Sequence, residues 1–463
     1  MVKSTGSYPR VHVDTAPVAA VGQAGGILLV ETIRAAGLDR DLSAALARWV
    51  KPWATHDPGK ILCDLALSLA TGGDCLSDLA QIRAEPGIYG PVASDPTVSR
   101  LMSLLGADAD RAEKAIAKAR KTARARVWAL AGTHAPDAHL SAADPLIIDV
   151  DATLVTAHSE KEEAAPTFKK GFGHHPLCAF IDHGRTGSGE AAVIMLRPGN
   201  AGSNTAADHK TVIRQALDQA GVGSRPGRTV LVRIDGAGST HQTLAELMRR
   251  RVSYSVGFTL PADTPDLYQK IPEDVWTPAY DTDGNIRDGA DVAEFTGLLD
   301  LTGWPEGMRI IVRRERPHAG AELRFDDVDG YRLTAFATNA TKGQLPDLEV
   351  RHRRRARCED RIRNAKDTGL VNLPLYGFGP NRIWCQIVAM AADLIAWMGL
   401  LAHPQEAVRR WEPKKLRHRL FVVPATIARS GRRVVLHISD RHRWAATVVG
   451  AVLAMRGLPA PAG

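Results

Sequence analysis

The sequence has few cysteines, and their spacing builds nothing. Cys63, Cys75, Cys178, Cys358 and Cys385 are the only five among 463 residues. The number is odd and no pair has C-x-x-C spacing. That excludes a disulfide framework and a cysteine zinc site, and it fits a reducing cytoplasm. His174, His175 and Cys178 lie close in sequence, but such a loop cluster reads as structural rather than as a metal site. No uninterrupted apolar run reaches the ~20 residues of a membrane span. The longest, IVAMAADLIAWMGLLA at 387–402, contains Asp393 and reads as a buried helix. The opening MVKSTGSYPRVHVDT lacks the charged-then-apolar pattern of a secretory signal. Internal repeats and low-complexity tracts are also missing.

What is present is a globular composition, 44% hydrophobic and 24% charged, which rules out a wholly disordered chain or a fibre. The length suggests about two to four domains. The formal charge is +8, from 59 Lys+Arg against 51 Asp+Glu. Its distribution is uneven. Residues 351–463 hold 21 Lys+Arg and 7 Asp+Glu, a net +14, so the first 350 residues carry −6. A basic block on a mildly acidic body points to a polyanionic partner.

The hydrophobic period divides the chain. Residues 1–135 read as all-α. Predicted helices cover 27–38, a segment from Asp57-Pro58 to Gly72-Gly73, 74–84, 94–105 and about 107–131. A linker, GTHAPDAHLSAAD, follows at 132–144. Strands are predicted at 146–155, 176–182 and 190–197, then a helix at 205–221, a strand at 229–235, a helix at 239–251 and a strand at 252–260. The order is β-β-β-α-β-α-β, a meander extended by parallel crossovers. Residues 261–345 read as a β-rich insertion with runs at 309–316, 321–328 and 331–338. A basic helix over 346–366 and an apolar one near 383–401 come next. The tail, 405–463, is Arg-rich with two β-like pieces.

Three acidic positions stand out. Asp149 and Asp151 are two apart on the first predicted strand, so both leave one face of the sheet. Asp235 ends the fourth strand, followed by Gly236 and Gly238, where backbone allows a ligand to approach closely. Carboxylates at strand ends lose solvation unless a cation or donor meets them, and a divalent metal suits hard oxygens. Taken alone, Asp235 reads equally as an N-cap for the following helix. Glu359 is the third, within RHRRRARCEDRIRNAK. On a continuous helix, His352, Arg355, Glu359, Arg363 and Lys366 share one face. Residues 351–366 hold eight Lys+Arg against Glu359 and Asp360. Such density repels itself unless phosphates meet it, and one Glu amid the basic face suits a carboxylate that holds metal while its neighbours hold phosphate.

With these residues in place, the sequence resembles the DDE transposases of bacterial insertion sequences, whose core is ribonuclease H-like. Many carry Tyr-x2-Arg-x3-Glu-x6-Lys, and His352, Arg355, Glu359 and Lys366 have that spacing with His in place of Tyr. The phrases HDPGKILCDLALSLATGGDCLSDLA, VASDPTVSR, HHPLCAF and LRPGNAGSNTAADH resemble stretches shared by one branch, so the likeness covers most of 55–400. It implies a mixed α/β sheet with helices on both faces, interrupted by a β-rich insertion and preceded by an all-α region. The implied divisions are 1–135 for DNA recognition, 145–260 and 346–402 for the split core, 261–345 for the insertion, and 403–463 for a basic end region.

The resemblance further implies Asp151, Asp235 and Glu359 as catalytic metal ligands, with Asp149 the alternative first ligand. Asp151-Ala152-Thr153 fits the family's Asp-Thr spacing better. The cofactor implied is two Mg²⁺ ions, with Mn²⁺ substituting. His352, Arg355, Arg363 and Lys366 would contact DNA. The partners implied are the terminal inverted repeats, target DNA and a second copy in a synaptic homodimer, with no membrane, in a bacterial cytoplasm at the nucleoid. Trp276 and Trp304 are candidates for stacking a flipped base, beside a plainer reading as packing residues. Two rival readings remain. Asp149-Val150-Asp151-Ala152-Thr153 matches the DxDxT motif of haloacid-dehalogenase-type phosphohydrolases. The other rival is a non-catalytic DNA-binding protein.

Overall fold

The structure, a computed structural model, describes residues 19–184, 187–317, 320, 327–431 and 433–459. Its centre is a nine-stranded mixed sheet. In chain order the strands are β1 (Leu146–Ala152), β2 (Leu177–Asp182), β3 (Gly189–Met195), β4 (Val230–Ile234), β5 (Ser253–Phe258), β6 (Thr277–Tyr280), β7 (Ile286–Glu294), β8 (Arg309–Glu315) and β9 (Arg332–Thr338). Across the sheet they run β6-β7-β8-β9-β5-β4-β1-β2-β3. The pairs β1–β2 and β2–β3 are antiparallel, while β1–β4 and β4–β5 are parallel. The five strands β3-β2-β1-β4-β5 thus have the meander-plus-crossover order expected, with helices Ala206–Gln219 and His241–Arg249 as crossovers. The runs that become β2 and β4 are buried at every position, as central strands require.

The segment 261–345 is β-rich, as expected. Its four strands add to the same sheet, and β9 pairs antiparallel with β5. β6 and β7 were not foreseen. Their sequences, TPAY and IRDGADVAE, are rich in turn formers and gain strand character only from their neighbours. The expected strand at 321–328 falls mostly outside the described residues.

A helical layer covers the other end of the sheet. Helix Pro58–Thr71 starts where predicted, with Asp57 accepting from the Lys60 N–H at 2.8 Å and Pro58 at its first position. It ends at Gly72, whose φ of +120° only glycine adopts without strain. This helix, Asp95–Ala107 and Ala109–Ala131 pack around Phe378–Ala402, which also lies along β3. Phe378–Ala402 is long and apolar enough to cross a membrane, but 94% of its apolar window is buried in this core. Asp393 in its middle accepts from Arg120 at 2.8 Å and Arg124 at 2.7 Å, all three side chains being buried. Glu190 of β3 accepts from Arg124 at 2.5 Å and from the indoles of Trp128 and Trp397, each at 2.8 Å. Buried ions this well matched tie sheet to helices, since removing one partner strands the other.

Smaller elements complete the chain. The predicted helix at 74–84 is two pieces, Leu76–Asp78 and Leu79–Arg83. The tail forms a hairpin of β10 (Ala425–Ser430) and β11 (Arg433–Ile438), with β10 also pairing Ala20–Val21. A closing helix, Ala445–Arg456, was not predicted.

Candidate active site

Two adjacent parallel strands bring the first two carboxylates together. The β1–β4 register runs from Leu146 opposite Val230 to Val150 opposite Ile234. The next residue on each strand is Asp151 and Asp235. Both therefore sit at the carboxyl ends of neighbouring parallel strands, where α/β sheets offer their ligand crevices. The Asp151 pKa is pushed up to about 6, first by burial and then by the charge of Asp235, with Glu359 adding and Arg355 opposing. Asp151 therefore feels both other acids. It accepts from its neighbour Ala152 N–H at 2.8 Å and from Arg355 Nη1 at 3.3 Å.

Asp235 caps a different element from the one considered at the sequence level. It accepts from Ala237 N–H at 3.2 Å and starts the single turn Gly236–Gly238, while Thr240 caps His241–Arg249. The two glycines also differ. A side chain on Gly236 would meet nothing within 4 Å, whereas one on Gly238 would strike Ile234 at 2.3 Å. Only Gly236 keeps space open beside the acid.

Glu359 reaches the site on a broken helix. The single helix predicted over 346–366 is instead Leu345–Arg353, a 3₁₀ turn at Arg354–Ala356, and Arg357–Ala365. A 3₁₀ turn advances each residue by more angle than an α-helix, so the expected common face is lost. Glu359 is exposed and Cys358 beside it is buried. His352 lies on the first of these helices. Its Nδ1 lies 2.8 Å from Ser255 Oγ, and its ring stacks on Phe336 at 4.4 Å and 8°. Burial, with Arg355 and Arg233 nearby, pulls its pKa down to about 3, so it stays neutral and offers phosphate no charge. Arg363 is exposed and paired with Asp360 at 2.9 Å and Glu412 at 2.7 Å. Lys366 is half-buried, and burial with Lys169 nearby lowers its pKa.

Asp149 is held behind the site. It is 1% exposed, and both its oxygens accept from Arg233, at 2.6 and 2.7 Å. Arg233 also donates to Asp182 at 3.1 Å and to the Arg351 carbonyl at 3.0 Å. One buried guanidinium thus touches β1, β2 and the helix leading to Glu359. Asp182 takes Arg357 as well, at 3.1 Å, and Arg361 lies 3.6 Å away. Burial would raise the Asp182 pKa, but these arginines hold it below the usual range. Nothing in the sequence pattern singled out Arg233 or Asp182. The only signal was an arginine within the apolar run VLVRI.

The chemistry of the donor set fits divalent cations. Asp151 and Asp235 follow paired positions of neighbouring parallel strands, the Asp151 pKa is raised first by burial and then by Asp235 and, less, Glu359, and among the described residues the cation paired with Asp151 is Arg355. Asp151, Asp235 and Glu359 do not form a closed knot. Among the described residues, only Asp74, Cys75 and Asp78 bring three potential ligand atoms within 4.8 Å of one another. Those three serve a turn, with Asp78 accepting from the Asp74 and Cys75 N–H groups. Ligands shared between two cations about 3.5–4 Å apart need not all meet at one point.

The remaining sequence candidates have structural places. His174 Nε2 meets the Glu162 carbonyl, His175 Nδ1 meets the Ala201 carbonyl, and Cys178 is buried opposite Asp151 in the β1–β2 ladder. Trp276 is buried between Tyr268, Phe295 and Arg314, which leaves no free face for a base. Trp304 stacks on His241 at 4.0 Å. The phosphohydrolase reading fails at Asp149, because a nucleophilic carboxylate needs an accessible oxygen and Arg233 holds both.

No curated protein matches the sequence. Solved structures that do include "Cryo-EM structure of piggyBac transposase synaptic complex with hairpin DNA (SNHP)", at 8% identity and TM-score 0.42, covering 86% of this chain and 79% of that one. The family described as "Transposase DDE domain group 1" matches residues 3–460. A match of that extent makes this chain a member of the DDE transposases, enzymes of metal-dependent DNA cleavage and strand transfer.

Proposed function

We propose that the chain excises and inserts an insertion sequence by a cut-and-paste route, with Asp151, Asp235 and Glu359 as the metal-holding catalytic residues. The observation that carries this is the Asp151 carboxyl, raised to about 6 by burial, Asp235 and Glu359 at the carboxyl ends of β1 and β4. Asp151 is preferred over Asp149 because the charges of Asp235 and Glu359 act on its carboxyl, while both oxygens of Asp149 are spent on Arg233. When bound, two Mg²⁺ ions, or Mn²⁺, would neutralise charge on the attacking and leaving oxygens of the phosphodiester.

The chain's own residues do the rest. Arg355 pairs with Asp151 before substrate arrives and can turn to a phosphate that enters beside it. Lys366 and Arg363 hold the strand along the Glu359 helix. His352, on the preceding helix Leu345–Arg353, stacks on Phe336. The divisions follow the same plan: 1–135 for the terminal inverted repeats, 145–260 and 346–402 for chemistry, 261–345 extending the core, and 403–463 for the second DNA end or partner subunit. The active species is a homodimer on paired ends, working in the cytoplasm on the nucleoid.

The test is purified protein on DNA carrying the flanking repeats, with and without Mg²⁺, read on a denaturing gel. Nicks and strand-transfer products are expected only with the metal. Glu359→Gln should bind the ends as wild type does and cut nothing. A Glu359→Gln enzyme that still cuts would end the assignment.

A further inference from the structure

We propose that a surface formed by Trp411, Trp444 and the cations stacked on them is a phosphate track that holds duplex DNA beside the Glu359 helix. This rests on the transposase reading above. The two rings meet edge to face at 5.0 Å and 82°. Lys415 lies over Trp411 at 4.8 Å, Arg419 over Trp411 at 5.0 Å and over Trp444 at 5.7 Å, and Arg443 over Trp444 at 5.1 Å. Three cations thus share two indoles.

Their surroundings do not neutralise them. Residues 409–444 contain eleven Lys+Arg against Glu412 and Asp440 alone. Glu412 is engaged by Arg363. Among the described residues, Lys415, Arg419 and Arg443 have no carboxylate partner and make no hydrogen bond. Indole faces bind cations weakly at a surface and use none of their N–H donors. Side-chain packing alone would explain the stems but not three unspent charges gathered in one place. A polyanion would use them.

Position connects the cluster to the chemistry. Lys414 pairs with Asp367 at 2.9 Å, and Arg417 donates to the Asp367 carbonyl at 2.7 Å. Together with Arg363–Glu412, these pin 412–417 along the end of the Glu359 helix. Trp411 lines a shallow hollow with Arg361 and Asn364 of that helix. The cluster therefore continues from the end of the Glu359 helix, next to Arg363. Its occupant is duplex backbone rather than single strand. Sequence-tolerant single-strand sites offer bare aromatic faces for bases, and here the faces are covered by cations and the rings by each other.

The experiment measures binding of a mixed-sequence duplex of about 30 bp, in EDTA, between about 50 and 200 mM salt. The proteins are wild type, the triple variant Lys415→Gln/Arg419→Gln/Arg443→Gln, its three single variants and the charge-preserving Lys415→Arg/Arg419→Lys/Arg443→Lys. The triple should flatten the log K against log salt plot by about three units, about one per lost phosphate contact, and each single variant by about one. The charge-preserving variant should keep the wild-type slope. Thermal melting of the single variants provides the folding control. Neutral variants with the wild-type slope overturn the proposal, as does a loss confined to single-stranded DNA of the same length. A wild type with no salt-dependent DNA binding would instead overturn the transposase reading, so the two failures are distinguishable.

Discussion

At the scale of single residues, the acids were legible and their support was not. Asp151 and Asp235 stood out because carboxylates at strand ends are out of place without a partner. Glu359 stood out as an acid in a basic run. Arg233 was hidden, since an arginine in a strand interior gives no sign that its fork meets two strands and a helix carbonyl. Its partners, Asp149 and Asp182, are 84 and 51 residues away. Arg233→Met should leave buried Asp149 without its ion-pair partner, while Asp182 keeps Arg357 and Arg361, and cost about 3–5 kcal/mol, measured by urea unfolding. Arg233→Lys should recover part of that loss but not the forked geometry, with DNA cleavage falling more than DNA binding. Spacing alone assumed an unbroken helix from His352 to Lys366, and the structure interrupts it with the 3₁₀ turn at Arg354–Ala356.

At the scale of elements, long helices and central strands matched their hydrophobic period, and breaks within elements did not. The apolar period of Phe378–Ala402 identified a buried helix but left Asp393 unexplained. Its explanation is Arg120 and Arg124, one turn apart on Ala109–Ala131. The same helix makes a contact that only glycine permits. A side-chain carbon on Gly379 would sit 2.3 Å from the Gly106 carbonyl oxygen, on a helix 273 residues earlier in the chain. Gly379→Ala should therefore destabilise by about 1–3 kcal/mol through overpacking. Gly236→Ala, with nothing within 4 Å, should shift stability by no more than about 0.5 kcal/mol. Paired denaturant melts would decide, and equal losses in the two variants would contradict this account.

At the scale of the whole molecule, the layer order followed from the β-β-β-α-β-α-β pattern, and the joints between regions did not. A linker was predicted at 132–144. The structure places Pro58–Thr71, Asp95–Ala107 and Ala109–Ala131 directly on the core helix Phe378–Ala402. A protein beginning at residue 145 should therefore expose that helix, bind hydrophobic dye and aggregate. If it stays soluble with a sharp melting transition, the N-terminal helices are not part of the core.

The way β9 returns to pair with β5 has a consequence for the placing of Asp235 and Glu359. The chain leaves the sheet after Phe258, travels to the outermost rim at β6, and folds back strand by strand until it lies against its own point of departure. The detour is closed like a pleat. Trimming the outer hairpin β6–β7 would leave β9 seated against β5, so the chain length between Asp235 and Glu359 is not what sets their positions.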